Sequence, residues 1–275
     1  MLNGEKKMIV SAFRLKSITS FDTGLPIYFL TGKKYIHQTI FCIYSLNKVS
    51  KEKFSFTLVD DGSFDSEIIK KIKSVIINCK IITTEQIKDN VEKILPKSSF
   101  PVLNKKRAEY AHIKKLTDIH TLPNTRDFKL VLDSDLLFWK EPKAIIEWLK
   151  KPNKPIHMID CVEAYGYTIE LMQKLSTSTI KRKINVGALG LDSSNINWME
   201  LEKWTTQMEL EEGKSYFLEQ ALSAMLIGDK KSIPLTETEY IVNPNKQDTN
   251  GLAGVLHHYV DVSKSFYYQT AWKKL

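Results

Sequence analysis

Leu130-Val-Leu-Asp133-Ser134-Asp135-Leu-Leu-Phe138 is the most informative run in the chain. Three apolar residues, two carboxylates around one small residue, then three more apolar residues describe a buried strand that runs into an acidic loop. Carboxylates this close repel each other unless a cation sits between them, and hard oxygen ligands select Mg²⁺ or Mn²⁺. Apolar sequence on both sides argues against an ordinary solvated turn or a helix N-cap. Ser134 is small enough to leave room for a ribose or a phosphate.

Outward from this stretch, strand and helix patterns alternate. Pro26-Ile-Tyr-Phe-Leu-Thr-Gly32 reads as a buried strand closing in a turn, and Ile36, Ile40, Ile43 and Leu46 give the next segment helical spacing. Phe54-Ser-Phe-Thr-Leu-Val59 is a strand that enters Asp60-Asp61-Gly62-Ser63. Helical patterns cover 66–75 and 84–94, with a short strand, Lys80-Ile-Ile-Thr83, between them. Residues 105–122 read as one long basic helix and 144–150 as another, followed by the strand Ile156-His-Met-Ile159, which ends at Asp160. A strand over 185–191 and helices over 198–212 and 217–227 precede a tail with a strand-like Val255-Leu256 and the aromatic residues Phe266, Tyr267, Tyr268 and Trp272. That tail is expected to be exposed. Trp198, Trp204, Phe217 and Cys42 are expected in the core.

Such alternation means βαβ crossovers and hence an α/β domain, with a Rossmann-like, mostly parallel central sheet flanked by helices. Ligands of these sheets sit beyond the carboxyl ends of the strands. Thr31, Asp60 with Asp61, Asp133 with Asp135, and Asp160 all fall at such ends. Acidic groups at three strand ends predict a site for a cation and a phosphorylated or polyhydroxylated ligand.

The 275 residues, 43% apolar and 26% charged, suit one folded domain and exclude disordered, collagen-like and coiled-coil chains. No apolar run approaches the roughly 20 residues that span a bilayer. The apolar stretch near the start is too short for a secretory signal, so a cytoplasmic chain is expected. Cys42, Cys79 and Cys161 are odd in number and far apart, which argues against a disulfide framework or a cysteine zinc site. The net charge of +8 favours anionic partners such as nucleotide phosphates, acidic glycans or an anionic membrane face, although solubility alone accounts for a lysine-rich surface. No dense basic stripe or row of stacking aromatics is present, so nucleic acid is not an expected partner.

Asp133-Ser134-Asp135 on its strand resembles the Asp-X-Asp motif of GT-A-type, nucleotide-sugar-dependent glycosyltransferases, and the whole pattern is most similar to family 8 and an unclassified bacterial branch near it. Thr31-Gly32 ends the first strand where such enzymes begin to hold the nucleotide, and Asp60-Asp61-Gly62-Ser63 is similar to their base- and ribose-binding loop. Tyr110-Ala-His-Ile-Lys114 resembles a family helix that reads Tyr-Ala-Arg-Leu-Lys, with His112 at the arginine. Asn185-Val-Gly187 resembles an Asn-Ala-Gly strand start, and Glu219-Gln220 the Asp-Gln pair that faces the donor sugar. Family 8 chains end with a histidine, five residues and a lysine; His258 and Lys264 keep that spacing, while Asp261 and Ser265-Phe266 depart from the glycine and Pro-Trp that accompany it.

The resemblance implies a single GT-A domain: an extension over 1–24, a nucleotide-binding half over 25–150, and an acceptor half over 151–275 with the metal-ligand tail. It implies Mn²⁺ or Mg²⁺ held by Asp133, Asp135 and His258, with His257 the competing ligand. Adjacent strand residues point to opposite faces, so one histidine of the pair reaches the metal. Thr31, Asp60, Asp61, Arg107, Lys115, Ser134 and Lys264 would hold the nucleotide or donor. Arg107 and Lys114, two turns apart, would share a helix face, and Asp118 would pair with Lys115. Asp160, Asn185, Glu219 and Gln220 would position or polarise the donor sugar, with Asp160 or Glu163 also placed to act as a base, and Tyr165 and Tyr167 to line an acceptor pocket. The implied partners are a nucleotide-sugar donor, UDP-linked first, and a surface glycan or lipid-linked acceptor, with the basic charge and aromatic tail suited to peripheral work at the inner membrane face. Transfer would retain configuration. An inverting transferase, a metal-dependent phosphohydrolase or nucleotidyltransferase, and a non-catalytic glycan-binding protein remain as alternatives.

Overall fold

A computed structural model describes residues 2–123 and 127–275. In chain order its strands are β1 (Ile18–Thr19), β2 (Leu25–Thr31), β3 (Phe54–Asp60), β4 (Ile76–Ile77), β5 (Lys80–Ile82) and β6 (Phe128–Leu132). They continue as β7 (Leu136–Phe138), β8 (Ile156–Ile159), β9 (Ile184–Asp192), β10 (Ile233–Pro234), β11 (Tyr240–Val242) and β12 (Leu256–His258). Seven of them form the central sheet in the order β10-β8-β9-β6-β2-β3-β5. All its pairings are parallel except those of β9, which runs against both β8 and β6. The sheet is therefore the mostly parallel, helix-flanked one that the alternating pattern predicts.

Strand periodicity divides the core between the two faces. Ile27, Phe29, Leu130 and Leu132 pack in one cluster with the helix Ile36–Val49. Tyr28, Leu30 and Val131 pack in the other, with the helices Thr84–Ile94 and Leu218–Ile227. Because β9 is antiparallel, its first residues lie at the edge where the parallel strands end. Met158 faces Asn185 across the β8–β9 pair, and the Asp133 amide donates to the Gly187 carbonyl at 2.8 Å.

A second, three-stranded sheet brings the end of the chain to its middle. β12 pairs antiparallel with β7, His258 facing Leu136, and parallel with β11. Asp135 immediately precedes β7, so this register carries His258 to the acidic loop.

Several expectations are corrected. Residues 105–122 are not one helix: Pro101–Glu109 ends at Tyr110, whose φ of −140° and ψ of 98° are extended, and a 3₁₀ turn leads into Lys114–His120. Arg107 and Lys114 therefore share no helical face, and Asp118 binds Arg107 instead of Lys115, at 2.6 and 3.1 Å. Phe217 is exposed and Trp198 half-buried, whereas Trp204 and Cys42 are in the core. The aromatic tail is packed: Tyr267, Tyr268 and Trp272 are buried, and the helix Leu2–Ala12 lies so close that a Cβ on Gly4 would meet the Tyr268 carbonyl oxygen at 2.2 Å. Among the described residues no helix is long and apolar enough to cross a membrane.

Candidate metal and nucleotide site

At the carboxyl edge of the sheet, Asp133, Asp135 and His258 converge, each offering one ligand atom within 4.8 Å of the others. His258 Nε2 lies 3.3 Å from Asp135 Oδ1 and 3.6 Å from Asp133 Oδ2. Two carboxylate oxygens and an imidazole nitrogen suit Mn²⁺ or Mg²⁺, with coordination positions left for phosphate and water. The neighbouring His257 points the other way, its ring bound to the Tyr259 hydroxyl at 3.0 Å and the Ala253 carbonyl at 2.6 Å.

A chain of hydrogen bonds behind His258 determines which of its nitrogens is free. Asn185 Oδ1 accepts from the Gly187 amide at 2.9 Å, which fixes the orientation of the Asn185 side chain. The same oxygen is 3.0 Å from His258 Nδ1, so Nδ1 must carry a hydrogen. In the neutral ring Nε2 is then left with its lone pair facing the carboxylates. Asn185 Nδ2 in turn donates to Asp160 Oδ2 at 2.8 Å, and Gln220 Nε2 donates to the same oxygen at 3.2 Å. Gly187 admits the histidine ring: a Cβ there would stand 2.4 Å from Nδ1.

Two lysines flank the carboxylates. Lys115 Nζ binds Asp133 Oδ1 at 2.9 Å and Glu219 Oε2 at 3.1 Å. Burial alone would lower this ammonium, but Asp133 and Glu219 outweigh it and hold it protonated. Glu219, in the first turn of Leu218–Ile227, is pushed up to about 7 by burial, against the pull of Lys115. Lys264 binds Asp135 Oδ2. Burial would raise the Asp135 carboxyl, yet Lys264 and His258 hold it well below the usual carboxylate range. Lys264 is less buried than Lys115, its side chain 30% exposed against 7%.

Hydroxyls link Ser134 to the end of β2. Thr39 Oγ1 lies 2.8 Å from both Thr31 Oγ1 and Ser134 Oγ. Asp61 lies over Gly32, where a Cβ would meet its carboxylate at 2.0 Å, and its carbonyl accepts from Lys114 Nζ at 2.7 Å. Asp60 behaves differently. Its buried Oδ1 accepts from the amides of Gly62, Ser63 and Phe64, and Oδ2 from the Thr84 hydroxyl, so it builds the loop itself. Arg107, held at two points by Asp118, is likewise engaged inside the protein. Tyr165 and Tyr167 are buried packing residues.

Thr39 is a member of the site that the sequence did not single out. It is one of several buried polar residues on its helix, beside His37, Gln38 and Ser45, and nothing in the sequence set it apart from them. Asp261, at the family's glycine position, takes a φ of 44°, a left-handed conformation that explains why glycine suits that place.

No protein-family model and no curated sequence matches the chain. Solved structures do. The apo form of mouse xyloside xylosyltransferase 1 superposes with a TM-score of 0.58 at 11% identity, over 88% of this chain and 97% of that one. The galactosyltransferase LgtC, solved with donor and acceptor sugar analogues, superposes with a TM-score of 0.59 at 13% identity, over 91% and 96%. A mannosyltransferase of S. cerevisiae gives 0.53 at 12% identity, over 84% and 77%. The fold is the GT-A fold. In this GT-A sheet, the acidic loop after β6, the start of β9 and the end of β12 meet at one edge.

Proposed function

We propose that the protein is a metal-dependent glycosyltransferase, similar to family 8, that moves a sugar from a nucleoside diphosphate sugar, UDP-linked first, to a glycan or lipid-linked acceptor in the cytoplasm. The observation that carries this is the convergence of Asp133, Asp135 and His258 at the ligand-binding edge of a GT-A fold. These three would hold Mn²⁺ or Mg²⁺, which when bound supplies positive charge beside the leaving diphosphate. Lys264, paired with Asp135, would offer a second cation to a phosphate oxygen where negative charge develops. Thr31, Ser134 and Asp61 offer oxygens to the ribose and base. Lys115 is held by Asp133 and Glu219, so it ties the metal ligands to the donor-sugar residues. Glu219, Gln220, Asn185 and Asp160 form the wall that orients the sugar.

Transfer with retention fits this wall. An inverting enzyme needs a base at the acceptor hydroxyl. Asp160 is engaged by Asn185 and Gln220, and Glu163 by Arg182 at 3.2 Å. In front-face transfer the bond from the anomeric carbon to the diphosphate breaks as the bond to the acceptor oxygen forms on the same side. The acceptor proton then passes to the departing phosphate, and no enzyme base is required. One Asp-Asp-His cluster occurs among the described residues, where a two-metal hydrolase would need ligands for a second ion.

Calorimetry of UDP, GDP, CMP and common UDP-sugars, each with and without Mn²⁺, tests the proposal. One diphosphate should bind only with metal, and Asp135→Ala should lose it. Binding of no nucleotide under any metal would refute the proposal.

A further inference from the structure

The helical cover of the central sheet has a gap at the amino ends of β2, β3 and β5, the edge away from the metal site. A mostly parallel sheet is normally covered on both faces, so its inner strands read as apolar on both sides. One face of β3 obeys this, with Phe54, Phe56 and Leu58 buried in the first cluster. The other face begins with Ser55 and Thr57. Tyr28 stands beside Thr57 on β2, and Lys80 stands beside it on β5. β2 has a strand on each side, yet Tyr28 is only half-buried, so the opening above it lies in the helical layer. Among the described residues that opening is a cleft of about 580 Å³ between these strands and the helix Thr84–Ile94. Small-molecule sites span roughly 300–1,000 Å³.

The lining offers hydrogen-bonding groups that the fold does not use. Buried polar groups are normally paired, but no described residue hydrogen-bonds the hydroxyl of Ser55 or Thr57, both of which line the cleft. Asn90 Nδ2 donates to the Gln86 carbonyl at 2.8 Å, which leaves Asn90 Oδ1 to accept. Gln86 Oε1 accepts from the Thr83 amide at 3.0 Å, which leaves the Gln86 amino group to donate. These two residues are four apart on one helix and share its face.

Charge selects the class of ligand. Asp22 pairs with Lys80 at 3.9 Å and Asp89 adds another carboxylate, so the described lining sets two carboxylates against one ammonium on a chain of net charge +8. Phosphate and nucleotide sites concentrate cations instead. Hydroxyls, carboxamides and carboxylates around a tyrosine match a ligand rich in neutral hydroxyl groups, which both donate and accept.

We propose that the cleft floored by Tyr28, Ser55 and Thr57 is a second binding site, for a neutral oligosaccharide. Under the transferase reading above, the bound sugars belong to a part of the acceptor distant from the reacting hydroxyl; the affinity itself does not rest on that reading.

Saturation-transfer NMR of the full chain with maltohexaose, cellohexaose, laminarihexaose and mannohexaose, without metal or nucleotide, tests this, and calorimetry then measures the affinity of the sugar that binds. At least one should bind. Thr57→Val removes the hydroxyl and keeps the side-chain shape, and Asn90→Ala removes the free carboxamide oxygen. Combined, they should weaken binding about tenfold or more, with Tm and Mn²⁺ affinity unaltered. Asn90→Ala alone should weaken it by a smaller factor. Asp135→Ala, which removes a metal ligand, should bind the sugar as the wild type does. The proposal is overturned if none of these sugars binds, if the cleft variant binds as tightly as wild type, or if Asp135→Ala abolishes binding as well. It is also overturned if the cleft variant instead loses metal-free binding of UMP. A failed nucleotide titration would refute the transferase reading and leave the sugar result intact.

Discussion

His258 shows how much of the site depends on one hydrogen bond. Its Nδ1 is held by Asn185 Oδ1, so the nitrogen facing Asp133 and Asp135 is the one with a free lone pair. Groups that orient a metal-bound histidine in this way typically change metal affinity 10–100-fold when removed. Asn185→Ala should therefore weaken Mn²⁺ binding by about that factor, measured by titration calorimetry, with the fold intact by circular dichroism. Unchanged affinity would show that the ring is positioned by packing alone. The convergence of Asp133, Asp135 and His258 was legible in the sequence because a motif and a spacing mark them, and strand alternation separated His257 from His258. The Asp160–Asn185 bond was not legible as a bond. Residues 25 positions apart meet only because β9 runs antiparallel, and alternating hydrophobicity does not reveal strand direction.

The elements that carry these residues are anchored across the helical layer. Helix Pro101–Glu109 begins at proline, which suits its first turn, and the Glu202 carboxylate accepts from the amides of Val102 at 2.7 Å and Leu103 at 2.9 Å. A buried carboxylate at a helix N-terminus satisfies two amides and complements the helix dipole. Glu202→Ala should cost about 1–3 kcal/mol, read as a fall of a few degrees in Tm, and leave metal affinity unaltered. The other end of this layer is closed by Lys129, a fully buried lysine whose Nζ donates to the Ile119 and Leu122 carbonyls at 2.7 and 2.8 Å. Burial pushes it down to about 7. All strands of the central sheet except the two-residue β10 were legible from periodicity, whereas the short β1, β4 and β11 and helices such as Leu2–Ala12 and Ile169–Ser176 were not. The break at Tyr110 was not, because Lys105 to Leu122 contains no proline or glycine; tertiary contacts such as Tyr110 with Tyr216 bend a segment whose local propensity is helical throughout.

Over the whole molecule, the last strand and the middle of the chain build one site. β12 is useful only because β7 receives it, and the tail beyond it is locked down by the helix Leu2–Ala12 and by Gln38, whose Nε2 donates to the Tyr268 hydroxyl at 2.6 Å. The aromatic tail misled the sequence reading for a physical reason: composition cannot distinguish aromatic residues that face water from those that pack on a helix more than 200 residues away. The central claim, that Asp133, Asp135 and His258 seat the metal of a nucleotide site, is tested most directly by diffraction from crystals grown with Mn²⁺ and UDP, using the anomalous signal of manganese. The account predicts one peak bounded by those three side chains with the diphosphate beside it. A peak elsewhere, or UDP bound at this edge with no manganese, would contradict it.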